Sequence, residues 1–163
     1  MIHLKLFENF DESIKQDIED IFIDLTDNYL EVDVDHSYGS LDPNRLYRSK
    51  IEISKYRDPL LLDFRNLTDS EFNIDSDIID SMLRFIDYLK SNKLYLNDII
   101  IYRIIIQDVR GLKRLSEDYL TVSNITEEGL FINNFNNTGR YESELVTEPV
   151  NKIIIKYSNK NLQ

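Results

Sequence analysis

Residues 75–107 read DSDIIDSMLRFIDYLKSNKLYLNDIIIYRIIIQ and join a helix pattern to the most hydrophobic strand pattern of the chain. Apolar residues recur in the first half at the three- and four-residue spacing of one α-helical face: Ile74, Ile78, Ile79, Met82, Leu83, Ile86 and Leu89. Polar residues suited to cap the amino end precede them, at Asn73, Asp75, Ser76 and Asp77. Lys90 and Lys93 follow at the carboxyl end, where positive charges suit the negative end of the helix dipole. The pattern predicts a helix with one buried side.

The second half of this stretch, residues 99–106, is too rich in β-branched residues to favour a helix. It is apolar on both alternating faces, which is typical of a central strand covered above and below. Arg103 interrupts one face. Because buried charges are usually paired, we expect Arg103 to meet a carboxylate.

Residues 11–27 predict a second amphipathic helix, with a stripe formed by Phe10, Ile14, Ile18, Ile21, Phe22 and Leu25. The apolar residues 1–10 before it suit an edge strand or an arm lying on a neighbour. Residues 29–35 and 46–55 alternate strictly and predict an antiparallel hairpin. That pairing brings Arg48 and Lys50 over the acidic residues of the first strand.

The sequence predicts four further strands, at residues 119–125, 130–135, 140–147 and 150–157. It predicts a charged loop at residues 111–118. The fold class is therefore α+β, with two amphipathic helices packed on a mostly antiparallel sheet. The C-terminal strands form either an all-β meander that extends this sheet or a small SH3-like or OB-like barrel. We expect an α+β lobe at 1–95 and a β-rich lobe at 96–163, or one continuous domain.

The composition is that of a folded, acidic protein. The chain has 163 residues, 42% of them hydrophobic, and 30 acidic residues against 19 basic ones give a net charge of −11. Such a charge opposes general nucleic-acid binding and anionic membranes, and it suits a basic protein partner. Without a signal-peptide pattern or an apolar run of about 20 residues, we expect a cytoplasmic protein.

Most catalytic signatures are missing from the sequence. The four glycines are scattered, there is no cysteine, and the two histidines are His3 and His36. These facts exclude a Walker A loop, a dinucleotide fingerprint and cysteine-based catalysis. No cofactor is expected, and the chain is not expected to be an enzyme.

Two acidic segments invite a metal interpretation. Asp33 and Asp35, with Glu31 and His36, would offer hard oxygen ligands to a divalent ion, as in a metal-dependent hydrolase. Residues 69–77 have the odd-position spacing of a calcium loop but lack its central glycine. A solvated strand face explains the first segment and helix capping explains the second, so no metal is expected.

The same hairpin also suggests a surface for binding a protein. Tyrosines cluster around its acidic strand, and exposed aromatic side chains anchor many interfaces, although cross-strand packing is the ordinary alternative. The candidate partner-binding residues are Tyr29, Glu31, Asp33, Asp35, Tyr38 and Tyr47, with Tyr56 nearby.

The opening segment Leu4-Lys5-Leu6-Phe7-Glu8-Asn9-Phe10, followed by Ile18-Glu19-Asp20-Ile21-Phe22-Ile23-Asp24-Leu25, resembles small uncharacterised proteins of tailed phages infecting Bacteroidetes. The resemblance covers about the first hundred residues. It implies a non-enzymatic accessory component of the virion or its assembly, found in the host cytoplasm or the virion. Its partner would be a virion protein or a second copy in a homo-oligomer. The alternative is an acidic inhibitor that mimics nucleic acid toward a basic host enzyme or defence protein.

Overall fold

The computed structural model describes residues 13–28, 30–36, 48–55, 70–135 and 139–159. In these residues the chain forms three helical segments, α1 (13–21), α2 (Ile23–Asp27) and α3 (Ser76–Ser91). It also forms seven strands: β1 (Leu30–Asp35), β2 (Arg48–Lys55), β3 (Tyr95–Val109), β4 (Leu112–Thr126), β5 (Gly129–Phe135), β6 (Tyr141–Leu145) and β7 (Lys152–Ser158). The fold is mixed α+β and mostly sheet. The opening segment 1–10 lies outside the described residues.

The strands form one open sheet in the order β1-β2-β7-β3-β4-β5-β6, with every neighbouring pair antiparallel. The last strand, β7, enters between β2 and β3 and so joins the early hairpin to the later strands. The small closed barrel is therefore the wrong alternative. Strands β3 to β6 form the predicted meander and extend the sheet. The boundary between lobes at residues 95 and 96 stays a prediction.

The position of β7 follows from the isoleucines that it shares with its two neighbours. Ile155 lies between Ile51 and Ile99 in register, and Ile153 lies between Ile53 and Ile101. All six side chains are buried. Two continuous apolar rows thus cross three strands, and their burial stabilises β7 between β2 and β3.

Helix α3 buries the predicted face. Ile78, Ile79, Met82 and Leu89 are buried, while Leu83 and Ile86 are half-buried. Phe85, which the stripe does not include, is also buried. The Asp75 carboxylate accepts a hydrogen bond from the Ile78 backbone N–H at 3.1 Å, which confirms the predicted cap. None of the described helices combines the length and apolar character needed to cross a bilayer.

The predicted helix 11–27 is broken in the structure. Phe22 lies between α1 and α2 with φ −100° and ψ 7°, so the single continuous helix is wrong, although the described part of its apolar stripe packs in the core. Ile14, Ile18, Phe22 and Leu25 are buried in the same core as α3 and the sheet. The Phe22 and Phe85 rings meet with centroids 5.6 Å apart. Residues 13–28 therefore keep their buried face despite the break.

The long β3–β4 hairpin extends past the rest of the sheet. Strand β3 pairs with β7 only up to Tyr102, and residues 104–109 have 112–117 as their strand partner among the described residues. We call residues 104–117 the hairpin arm. Arg110 and Gly111 turn the chain with φ of 56° and 80°, the positive pair that a two-residue type I′ turn requires. Residues 112–117 are thus strand, and the predicted loop there is wrong.

The hairpin arm also corrects the expectation that β3 is covered on both faces. Ile99 and Ile101 are buried, but the following apolar residues of the arm are exposed. They are Ile105, Ile106, Val109, Leu112 and Leu115. A run of apolar residues signals burial only where other elements reach it, and among the described residues none extends along the arm.

Candidate functional site

The acidic residues of β1 lie on the face of the sheet opposite the core, which we call the outer face. Glu31, Asp33 and Asp35 are exposed there, and Val34 between the last two is buried. The strict alternation of this strand is therefore observed as predicted. The assignment of these carboxylates to a partner-binding surface stays a prediction.

Basic side chains of neighbouring strands interrupt this acidic row. Lys50 lies directly opposite Asp35, as expected, but Arg48 pairs with Ser158 of β7 and lies beyond the end of β1. Glu52 lies opposite Asp33 and is bonded at 3.0 Å by both Lys50 and Lys152. The outer face is consequently a mixed-charge surface.

Glu52 is held ionised within this network. Burial by itself would raise the pKa of its carboxyl, but the hydrogen bonds from Lys50 and Lys152 outweigh burial and lower that pKa below its usual value. Glu52 contacts both Lys50 and Lys152, and it is the main cause of the raised pKa of Lys50. Asp35 and Asp33 raise that pKa further, so Lys50 also interacts with the carboxylates of β1.

A shallow depression of about 410 Å³ lies on the outer face next to the acidic row. The residues that line it come from six parts of the chain: Glu31, Ser54, Lys55, Ser70, Tyr102, Ile104, Tyr119, Asn151, Lys152 and Ile154. A single cross-strand row runs from Glu31 through Lys152 to Tyr119, because consecutive strands place these positions side by side. Sequence reasoning identified only Glu31 of this lining.

Two tyrosines form one wall of the depression. The Tyr102 and Tyr119 rings lie with centroids 5.0 Å apart, and both hydroxyls donate to the Glu117 carboxylate, at 2.9 and 3.3 Å. Asn151 is fixed below them, since its side chain accepts from the Ile104 N–H at 2.7 Å and donates to Ser70 at 2.9 Å. Alternation within β4 places Tyr119 and Leu120 on opposite faces, but the sequence does not show that the face of Tyr119 also carries Tyr102.

His36 lies apart from the carboxylates with which the sequence grouped it. Its Nδ1 is 2.8 Å from the Tyr157 hydroxyl and 3.3 Å from the Ser49 hydroxyl, and its ring stacks on Tyr157. Burial raises the pKa of Tyr157, so that hydroxyl stays neutral. His36 therefore belongs to a hydrogen-bonded group at the buried face. Within the described ranges, no three histidine, aspartate or glutamate side chains are grouped to hold a metal ion.

The other candidates are placed only in part. Tyr29, Tyr38, Tyr47 and Tyr56 lie outside the described residues, as does Asp69 of the calcium-like segment. In the described part of that segment Asp75 is the helix cap.

Arg103 makes the predicted ion pair. Its guanidinium donates to Asp118 at 2.6 Å and to Glu148 at 2.5 Å, and its side chain is 20% exposed. The Nε atom is buried without a hydrogen-bond partner among the described residues. Arg103 therefore ties β3 to β4 and to the segment before β7, which is a structural role.

Asp118→Ala is expected to lower the free energy of unfolding by about 1–3 kcal/mol, because it removes the more buried of the two carboxylates that pair with the half-buried Arg103. Glu148→Ala removes the more exposed partner and is expected to cost less than about 1 kcal/mol. Urea denaturation of both variants measures the difference. Equal losses in the two variants would contradict this assignment.

A second concave surface lies on the helical side of the molecule. Its volume is about 600 Å³, and we call it the acidic groove. Its lining residues are Asp24, Asp77, Asp80, Leu83, Arg84 and Asp87. Arg84 pairs with Asp24 at 3.1 Å and Lys90 with Asp87 at 3.1 Å. Helical spacing of residues 77, 80, 84 and 87 creates this charged stripe opposite the buried face of α3.

Comparisons of the chain with known protein families, with curated proteins and with solved structures find no match.

Proposed function

We propose that this protein is a non-enzymatic interaction protein that serves as an accessory structural or assembly component, within a phage particle or during its assembly in the host cytoplasm. The observation that supports this proposal is the hairpin arm, which presents exposed apolar side chains on both faces. The phage setting rests on the resemblance of residues 4–25. The arm supports the more general part of the proposal, which is binding to another protein.

The hairpin arm has the properties of a surface that is covered in a complex. Val109 is 46% exposed and Leu112 is 75% exposed, and their register places them side by side at the end of the arm. Exposed apolar residues that are grouped in this way are typical of interaction sites. An isolated two-stranded ribbon is also marginally stable in water, so contact with a partner would stabilise the arm.

The outer face supplies a second, polar contact area. Acidic and basic side chains are mixed across β1, β2 and β7, with Lys152 and Glu52 in direct contact. Mixed charges of this kind favour the polar rim of an interface, where they set orientation more than affinity. We propose the acidic row of β1, with the tyrosines around the same hairpin, as part of this rim.

The alternative function is an acidic inhibitor of a basic host enzyme or defence protein. The acidic groove favours it, because Asp77 and Asp80 add to a negative surface on a chain of net charge −11. Binding by charge mimicry falls steeply with added salt. An inhibitor complex whose affinity is unchanged between low salt and about 0.5 M salt would contradict this alternative.

The proposed function is tested by purifying the tagged protein from producing or infected cells and identifying the co-purifying proteins by mass spectrometry. We expect capsid, portal or tail proteins in the wild-type sample and their loss from a Val109→Ser and Leu112→Ser double variant. Both substitutions remove exposed apolar surface and leave the turn residues unchanged.

The matched control is Ile23→Ser, which removes an apolar side chain that is also exposed but lies on α2. The control is expected to retain the same partners. Recovery of a single basic host protein instead would support the inhibitor alternative. Equal recovery of virion proteins by the wild type and the arm variant would contradict a role for the hairpin arm.

A further inference from the structure

We propose that the end of the hairpin arm of one copy docks into the acidic groove of a second copy of the same chain, so that copies associate head to tail. This inference rests on the proposed function, since it names the partner of the arm. Two separate surfaces of one molecule support it, because they carry opposite charges and both include apolar side chains.

The end of the hairpin arm is basic in an otherwise acidic chain. Residues 108–114 contain three basic residues, Arg110, Lys113 and Arg114, against one acidic residue, Asp108. The Asp108 carboxylate accepts a hydrogen bond from the Gly111 N–H at 2.9 Å, so it serves the turn. In the sequence, the apolar residues Val109 and Leu112 lie among these charged residues. A complementary surface must therefore be acidic at its rim and apolar within.

The acidic groove meets both requirements. Its carboxylates are exposed, and Leu83 contributes a half-buried apolar side chain among them. Arg84 and Lys90 pair with Asp24 and Asp87, so the surplus negative charge lies at Asp77 and Asp80. A volume of about 600 Å³ is on the scale of a small molecule or a few side chains. The groove therefore suits the turn of a hairpin better than a flat protein surface.

The occupant is a second copy because both complementary surfaces belong to the same chain. Val109 and Leu112 remain exposed in the single chain, so the described residues of that chain do not cover the end of its own arm. Two different surfaces in contact make a heterologous interface, which repeats from copy to copy into a ring or an open filament. This mode of association suits an assembly component.

The test is sedimentation of the full-length protein over a series of concentrations, at low salt and at about 0.5 M salt. We expect association that rises with concentration and weakens in high salt. An arm variant with Arg110→Glu and Arg114→Glu is expected to weaken self-association by about tenfold or more, as is a groove variant with Asp77→Lys and Asp80→Lys. An equimolar mixture of the two variants is expected to regain association, because each then carries the surface that complements the other.

The matched control carries Glu127→Lys and Glu128→Lys, which changes the net charge by the same amount as the groove variant but in the exposed turn between β4 and β5. It is expected to associate as the wild type does, which separates a specific contact from an effect of net charge. Circular dichroism and thermal melting establish that each variant is folded before sedimentation.

Three outcomes overturn the proposal: a wild-type protein that is monomeric at every concentration, association that neither charge reversal weakens, and loss of association in the arm variant alone. A monomer whose arm still recovers virion proteins would overturn self-docking and leave the proposed function standing. Self-association through both surfaces, with no virion protein recovered, would support self-docking and contradict the assembly function.

Discussion

Tyr157→Ala is expected to lower the free energy of unfolding by about 3–5 kcal/mol, the largest loss among the variants considered. Tyr157 is 1% exposed and lies at the centre of an aromatic group. Its ring meets Phe85 edge-on with centroids 5.4 Å apart and stacks on His36. Alanine would remove both contacts and leave a cavity between α3 and the sheet, which the surrounding side chains fill only in part.

One further variant separates the contribution of the Tyr157 ring from that of its hydroxyl. A second variant compares the loss of this buried tyrosine with the loss of an exposed one. Tyr157→Phe removes the hydroxyl, with its hydrogen bonds to His36 and Ser49, and is expected to cost about 1 kcal/mol. Tyr119→Ala removes an exposed tyrosine of the outer face and is expected to cost less than Tyr157→Ala by at least about 2 kcal/mol. Urea denaturation followed by circular dichroism measures all three. A loss for Tyr157→Ala no larger than that for Tyr119→Ala would contradict the central position of Tyr157.

Ile101→Ala is expected to lower the free energy of unfolding by about 2–5 kcal/mol. Ile101 is fully buried on β3 and lies between Ile153 of β7 and Leu120 of β4. The shortened side chain would leave a gap in one of the two isoleucine rows that join the early hairpin to the later strands. Because three strands meet there, the gap has little room to close.

Ile106→Ala is the matched control, since it is the same substitution five residues along the same strand. Ile106 is 40% exposed on the hairpin arm, opposite Leu115, so alanine is expected to cost about 0.5 kcal/mol or less. The comparison is made at low protein concentration, where the arm is free of any partner. Equal losses for Ile101→Ala and Ile106→Ala would show that the arm is packed within the single chain.

The contrast between these two isoleucines shows how far the sequence predicts the fold. Periodicity identified α3 with its buried face, the cap at Asp75 and the alternation of β1 and β2, because each depends on residues close together in the chain. Arg103 was correctly expected to be paired, because a charge within an apolar strand requires a partner wherever the strand lies. The same reasoning wrongly predicted that residues 99–106 are buried along their whole length and that residues 111–118 form a loop.

Those errors concern pairing between distant segments. No local pattern states that β7 enters between β2 and β3, that β4 begins directly after Gly111, or that the hairpin extends past its neighbours. Charged residues in 112–118 resemble a loop until they are paired with β3. Phe85 was missed although it lies three residues after Met82 and four before Leu89, the spacing of one helical face. The break at Phe22, whose ring contacts Phe85, was not expected.

The candidate surfaces likewise depend partly on local sequence and partly on tertiary structure. The sequence by itself determined an acidic α+β protein with an amphipathic helix that begins near Asp75, an alternating acidic strand at 29–35 and a paired Arg103, since spacing and charge encode which face of an element is buried. Only the tertiary structure decided that Glu31, Lys152 and Tyr119 share one row, that His36 lies against Tyr157, and that apolar residues of β3 reach solvent at the hairpin arm. The physical reason is that periodicity fixes the direction of a side chain, whereas its cover and its neighbours depend on which distant strands pair.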